Sequence, residues 1–240
     1  MEKMTLLVSP NEVANSTQHW YDLAIFISRN LHIQISLETA TDMQDFRIRL
    51  AQADIAYVPP QDAATQAFGR NFKPLCRFQD CYEELAIISN QEVAVSGLKG
   101  LQGSVIGGVA GSFPNRLGMT LLKKKNIFPT SISDKESWPN LLDSLVKNEI
   151  HYAFISKSYL RHTHPSERSE VQLIASTNLK KAFPQLMLNP LNLLFYNDIR
   201  DTLLAMHLSE NGRYIQEKHK TQIWTEVDPF ELTAMTNMLK

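Results

Sequence analysis

Within its first 58 residues the chain sets three short apolar runs apart by two segments of helical periodicity, and that alternation leaves few folds open. Residues 5–8 read as a strand, residues 9–12 (Ser-Pro-Asn-Glu) as a turn, and residues 16–30 as a helix with Trp20, Leu23, Ala24 and Ile27 on one face. Residues 33–37 alternate as a second strand. Thr41 or Asp42 caps a second helix carrying Phe46 and Leu50, and residues 54–58 make a third strand that Pro59 and Pro60 stop. Strand, helix, strand, helix, strand in this order calls for an α/β fold with a parallel sheet and right-handed crossovers.

A short helix at 62–68 and an extended stretch at 72–78 lead to an apolar strand at 82–89, and the polar residues 90–103 mark a boundary. A second series then opens with GSVIGGVAGSFPNRLGMTLLKKK (103–125), which reads as a strand at 104–106, a Gly-rich turn and a helix at 114–125. An irregular link through Pro129 precedes a helix at about 137–148, whose buried stripe is Leu141, Leu142, Leu145 and Val146, and a strand at 151–156. Both series enter a strand through an Ala-aromatic-aliphatic triplet, Ala56-Tyr57-Val58 and Ala153-Phe154-Ile155, which suggests two lobes of similar build. Further on come a strand at 171–175, an irregular link at 178–189, a strand at 191–196 and a helix at 199–208. A break at Asn211-Gly212 follows, and Asp228-Pro229-Phe230-Glu231 opens a last helix with an N-cap, Pro at N1 and Glu at N3.

A chain of 240 residues with 43% hydrophobic content can build a core, or two, without covalent staples. A net charge of −1 and a pI near 6.7 argue against a nucleic-acid or membrane-surface binder, and the one basic run, Lys123 to Lys125, falls where a helix ends. Cys76 and Cys81 are too few for a disulfide framework, and no second pair completes a zinc site; they form one local bridge or serve as two small apolar residues. No apolar run approaches the ~20 residues of a membrane span, and MEKMTLLVSP lacks a hydrophobic core of signal-peptide length. Complete as given, the chain is expected in the cytoplasm; cropped of a leader, it is expected to be periplasmic or extracytoplasmic.

The chemistry concentrates at residues 103–125. Gly107, Gly108 and Gly111 permit a sharply bent backbone, and Ser112 followed by Pro114 is a helix start. Amides without intrahelical partners and roughly half a positive charge from the macrodipole make such a start a place for phosphate, phosphonate or carboxylate; the plainer reading is a packing turn. Arg116, in the first turn, opposes the dipole, so it either points into solvent or faces an anionic ligand. The stretch lacks the Lys of a P-loop and the GxGxxG of a dinucleotide fold. Ser144-Leu-Val-Lys147 matches the SxxK of acyl-serine enzymes but lies on an amphipathic helix with no KTG after it, and His162, His164 and Glu167 read as a solvated loop. Trp20 and Trp138 fall on helix stripes that need bulk. No set of nucleophile, base and orienter can be assembled, so no catalytic group, metal or cofactor is expected.

The order of parts resembles a family, the type II periplasmic-binding-protein fold and in particular the phosphate and phosphonate (PhnD-like) substrate-binding proteins of ABC importers. The residues that carry the resemblance are LLVSPNE with its following helix, TATDMQDFRIRLAQADIAYVPPQD, Tyr82 before an apolar strand, LKGLQGSVIGGVAGS, and LLAMHLSENGRYIQEKH with the later W and DPFE. The resemblance implies two α/β lobes, each a sheet flanked by helices, with ligand in a cleft. Residues 1–88 plus 192–240 would form one lobe and 89–191 the other, with the crossing segments 86–92 and 189–194 side by side as a hinge. It also implies a small anionic ligand and, as partner, an ABC transporter permease or a fused signalling protein. Carried over by position, the ligand-binding residues are Ser9 and Asn11 after the first strand, Tyr57, Tyr82, Ser112 and Asn115 of the turn, and Ser156 and Lys157, with Arg116 added from its place at the helix start. Two departures stand out: Phe113 and Pro114 replace hydroxyl and N–H donors, and Lys157 stands where these binders often carry an acid.

Three functions follow: a solute-binding protein or a sensor domain derived from one; an enzyme on the same fold, such as a chorismate dehydratase-like protein of the menaquinone pathway; and a domain that has lost its ligand and serves protein contacts. The want of an acid-base constellation weighs against the enzyme.

Overall fold

The computed structural model describes residues 2–93 and 97–239, with the side chains of residues 11–16, 67, 68 and 239 left outside the description. In chain order the elements are β1 (Lys3–Val8), α1 (Pro10–Leu31), β2 (Gln34–Thr39), α2 (Met43–Leu50), β3 (Ile55–Val58), α3 (Pro60–Gly69), β4 (Lys73–Phe78), β5 (Leu85–Asn90), β6 (Val105–Val109), α4 (Phe113–Lys124) and β7 (Ser131–Lys135). They continue with α5 (Trp138–Val146), β8 (Tyr152–Ser156), α6 (Lys157–His162), α7 (Pro165–Ser169), β9 (Val171–Ser176), β10 (Gln185–Leu188), α8 (Tyr196–Leu204), α9 (Glu210–His219), β11 (Trp224–Thr225) and α10 (Pro229–Leu239). Contacts divide the chain into two compact units, Met1–Tyr82 with Phe183–Lys240, and Glu83–Ala182.

Unit 1 is built on a sheet ordered β11-β4-β10-β3-β1-β2. β1 lies between β2 and β3 and is parallel to both, with Leu6 opposite Leu37 on one side and Ile55 on the other. β10 inserts antiparallel between β3 and β4. The helical period of α1 puts Trp20, Leu23, Ala24 and Ile27 on the sheet, where they close a core with Leu6, Val8, Ile55, Tyr57, Leu186 and Ile199.

Unit 2 is built on a sheet ordered β7-β6-β8-β5-β9, in which β6 is parallel to β7 and β8 while β5 runs antiparallel to β8 and β9. Trp138, Leu141, Leu142 and Leu145 of α5 pack on Ala86, Ile88, Ala153 and Ile155. In both units the first three strands of the α/β series stand in the order second, first, third, so the two triplets noted in the sequence occupy equivalent third strands, β3 and β8.

The structure corrects the sequence reading at several points. Residues 9–12 are no turn; α1 begins at Pro10, because Ser9 is extended (φ −62°, ψ 144°) and Pro supplies the helical φ of the first position. The link through Pro129 contains β7, an edge strand whose polar SISDK sequence gives no apolar alternation. The expected strand at 191–196 is a 3-10 segment, Pro190–Phe195, with Leu191 and Leu194 at 90% and 88% exposure; the strand is the buried β10 just before it. Asn211-Gly212 is inside α9 and breaks nothing: a Cβ at Gly212 would lie 2.0 Å from the Met206 carbonyl oxygen, so the glycine serves close approach. The sheets are mixed, not parallel throughout, since β4, β5, β9, β10 and β11 all pair antiparallel. Of the two segments expected to cross, residues 86–90 belong to β5, an inner strand of unit 2 paired with β8 and β9, and 190–195 is the 3-10 segment of unit 1.

Candidate functional site

In an open α/β sheet, ligands bind beyond the carboxyl ends of the strands where the strand order reverses. That point lies between β1 and β3 in unit 1 and between β6 and β8 in unit 2.

In unit 2, β6 leads into Gly111, the only one of the three turn glycines with positive φ (63°); Gly107 and Gly108 are strand residues and bend nothing. Ser112 is extended and caps α4, its Oγ accepting from the Asn115 amide at 3.4 Å. Asn115 lies back over β6 and donates its Nδ2 to the Val109 carbonyl at 2.9 Å, while its Oδ1 is buried without a partner among the described residues. That arrangement needs Gly108, where a Cβ would stand 1.8 Å from Asn115 Oδ1. Phe113 and Pro114 are buried, so their place in the helix start is a packing one. Arg116 is exposed and makes no ion pair among the described residues.

One strand over, Ser156 ends β8 and accepts at Oγ from the Tyr159 amide at 3.3 Å. β8 is paired to β6 in parallel, Ile106 with Tyr152, so Ser112 and Ser156 follow the carboxyl ends of neighbouring strands, and both are buried. Each hydroxyl, having accepted an amide proton, keeps its own proton to donate. Lys157 is engaged inside the unit: its Nζ donates to the Thr177 carbonyl at 2.8 Å and its amide to the Glu84 carbonyl at 2.8 Å. The buried Glu84 accepts in turn from the Thr177 hydroxyl and, at 2.7 Å, from the Lys180 amide.

In unit 1, Ser9 is buried at the switch point, its amide directed at the Tyr57 carbonyl (3.4 Å), and its side chain does not cap α1. The Asn11 side chain lies outside the described residues. Tyr57 is 1% exposed, with ring centroids 4.5 Å from Trp20 and 5.9 Å from Phe78, which itself stacks on Trp224 at 3.9 Å. Tyr82 is half-buried, and the Arg77 guanidinium sits 5.4 Å from its centroid and 4.8 Å from that of Phe183. Arg77 also pairs with Glu231 of α10 at 2.9 Å, yet its Nε is buried without a partner among the described residues. Gln185, opposite Val58 on β10, is fully buried with neither amide atom partnered among the described residues. Sequence reading missed both. The signal for Arg77 was a charged residue inside the otherwise apolar strand Pro74-Leu-Cys-Arg-Phe78, where a cation needs a reason.

The other candidate groups are engaged elsewhere. Lys147 binds Asp143 at 2.7 Å and Ser144 is buried on α5. His162 and His164 make local bonds within α6 and at the cap of α7. Among the described residues no cluster of His, Cys, Asp and Glu could hold a metal ion, and no helix is long and apolar enough to cross a membrane. Cys76 and Cys81 are not joined, and burial pushes the Cys76 thiol up to about 12.

The sequence matches the family described as ABC transporter, phosphonate, periplasmic substrate-binding protein, over residues 6–232. The chain belongs to this family. The family is the substrate-binding component of a transporter, which implies a ligand and a permease. No curated protein matches the sequence. Solved structures similar to the chain include PhnD1 from Prochlorococcus marinus in complex with methylphosphonate, with TM-score 0.83, 10% identity, and 99% of this chain and 97% of that one covered. A binding protein component of an ABC phosphonate transporter (PA3383) from Pseudomonas aeruginosa has TM-score 0.83, 14% identity, and coverage of 99% and 85%. XAC2383 from Xanthomonas citri, bound to chloride ion, has TM-score 0.80, 14% identity, and coverage of 99% and 97%. At such identities the likeness is one of fold, that of type II periplasmic binding proteins.

Proposed function

We propose that this family member is a solute-binding protein, or a sensor domain derived from one, whose ligand is a small anion of the phosphate or phosphonate class. The anionic end is held on unit 2 by the hydroxyls of Ser112 and Ser156, with Arg116 as the cation. The observation that carries the reading is the pair of buried serines, each with a hydroxyl proton to give, following neighbouring parallel strands at the switch point. The methylphosphonate bound by PhnD1, which has the same fold, supports the ligand class. Lys157 is assigned a structural part, because its ammonium already serves the Thr177 carbonyl. Within unit 1, Tyr57 is assigned to the core, and Ser9 and Asn11 stand at the unit 1 switch point.

The test is calorimetry with phosphate, short phosphonates and small dicarboxylates against the parent and Arg116→Ala. A charge-assisted hydrogen bond contributes about 1.5 to 3 kcal/mol, so removing Arg116 should weaken binding roughly ten- to a hundred-fold. Unchanged affinity would return Arg116 to solvent.

A further inference from the structure

Side chains of β5 alternate: Ala86 and Ile88 lie under α5, so Leu85 and Ile87 face the other side of the unit 2 sheet. On that side, between β5, β9, the C-terminal half of α4 and a 3-10 turn at Gly97–Leu101, is a cavity of about 140 Å³. Its inner walls are hydrocarbon, from Leu85, Ile87, Leu98, Leu121, Leu122 and Ala175, with the exposed Ser176 beside them. Thr177, also on the wall, has its hydroxyl committed to Glu84 and to the Leu85 amide. The pocket is half open to solvent, and an apolar space of roughly 150 Å³ is large enough for a guest of benzene size. Among the described residues the one charged side chain on its lining is Lys125, which is exposed and makes no ion pair there. The exposed Lys123 and Lys124 next to it offset the negative end of the α4 dipole.

We infer that this cavity is a second ligand site, which takes a small aromatic or branched aliphatic carboxylate with its hydrocarbon body inside and its carboxylate on Lys125. One ammonium at the mouth balances one negative charge, and the mostly apolar walls favour a hydrocarbon body. None of the residues assigned to the phosphonate-class anion is used, so the two readings stand or fall separately.

The experiment is a titration of the isotope-labelled full chain with benzoate, and with toluene as its neutral counterpart, followed by backbone amide shifts. Saturable shifts at millimolar benzoate, confined to β5, β9 and the end of α4, are expected. Leu121→Trp, and independently Ala175→Leu from the opposite wall, should abolish them for both compounds. Lys125→Gln, an exposed substitution without bearing on folding, should weaken benzoate roughly ten-fold and leave toluene unchanged. The site is overturned if benzoate shifts do not saturate, map elsewhere, or persist in the filled variants. An unaltered benzoate affinity in Lys125→Gln overturns the carboxylate assignment.

Discussion

Replacing Gly108 by alanine is a sharp test of how the turn after β6 is held, because general rules and this structure predict opposite signs. Gly108 has ordinary strand φ, so alanine there should stabilise by about 0.4 to 1 kcal/mol through the unfolded chain alone. Here, however, the new Cβ would stand 1.8 Å from Asn115 Oδ1, 2.4 Å from its Cγ and 2.5 Å from its Nδ2, so the whole amide must leave. With it goes the bond from Asn115 Nδ2 to the Val109 carbonyl. Loss of such a bond costs about 0.5 to 1.5 kcal/mol, the Val109 carbonyl keeping the Ser112 amide at 3.1 Å, and forcing the packed amide off its rotamer adds about 1 to 3 kcal/mol, so the net expectation is destabilisation by roughly 1 to 3 kcal/mol. Urea denaturation of the parent, Gly108→Ala, Asn115→Ala and the double variant measures it. In the Asn115→Ala background the clash is gone, and Gly108→Ala should be neutral or mildly stabilising. Additive effects in that cycle, or a stabilised single variant, would refute the account of the turn.

Other outcomes follow from the same structure. Lys157→Met should lower stability by about 1.5 to 3 kcal/mol, read by urea denaturation, since it strips the Thr177 carbonyl of its charged donor. Desolvation by burial, with the nearby His219 adding to it, lowers His19 from 6.5 to about 4; the native state therefore holds it neutral, and the unfolded chain binds the extra proton. Stability should be lost as pH falls from about 6.5 to about 4, by on the order of 3 kcal/mol, and His19→Phe should flatten that part of the profile. For Asp22 burial acts to raise the value, but hydrogen bonds from Lys218, His219 and Gln18 prevail and bring it to about 2, so its stabilisation disappears between about pH 3.8 and 2, where Asp22→Asn should show no loss. Cys76, with its thiol pushed up to about 12, should resist alkylation at pH 8 until the chain unfolds, by mass spectrometry of timed samples.

Elements with a strong period were legible in the sequence: the α1 stripe of Trp20, Leu23, Ala24 and Ile27 lies in the core as read, and Asp42 accepts from Gln44 and Asp45 as a cap should. Legibility failed where burial and apolarity part company. The run Leu-Asn-Leu-Leu-Phe reads as strand from hydropathy, but Pro190 follows the end of β10 and Asn192 ties the segment to Asp54, which leaves all three leucines exposed. Of the candidate site residues, Ser112 was readable as a cap because a strand gives way to a helix there, whereas Ser156, which also caps a helix, came only from the resemblance. Lys157 was not readable, since its partner is set by the pairing of β5 with β9 and not by any local pattern. Arg77 and Gln185 were missed for the same reason: they are joined through β10, which returns from the far end of the chain to lie beside β4.

The central claim, a phosphonate-class anion held by Ser112 and Ser156, is tested most directly by calorimetry of methylphosphonate and phosphate with the parent, Ser112→Gly and Ser156→Gly. Glycine is chosen because it keeps a helix start at a cost of a few tenths of a kcal/mol while removing the hydroxyl. The account predicts saturable binding of at least one of the two anions by the parent, weakened roughly ten- to a hundred-fold in each variant with little change in stability. No binding by the parent, or variants that bind as the parent does, would contradict it.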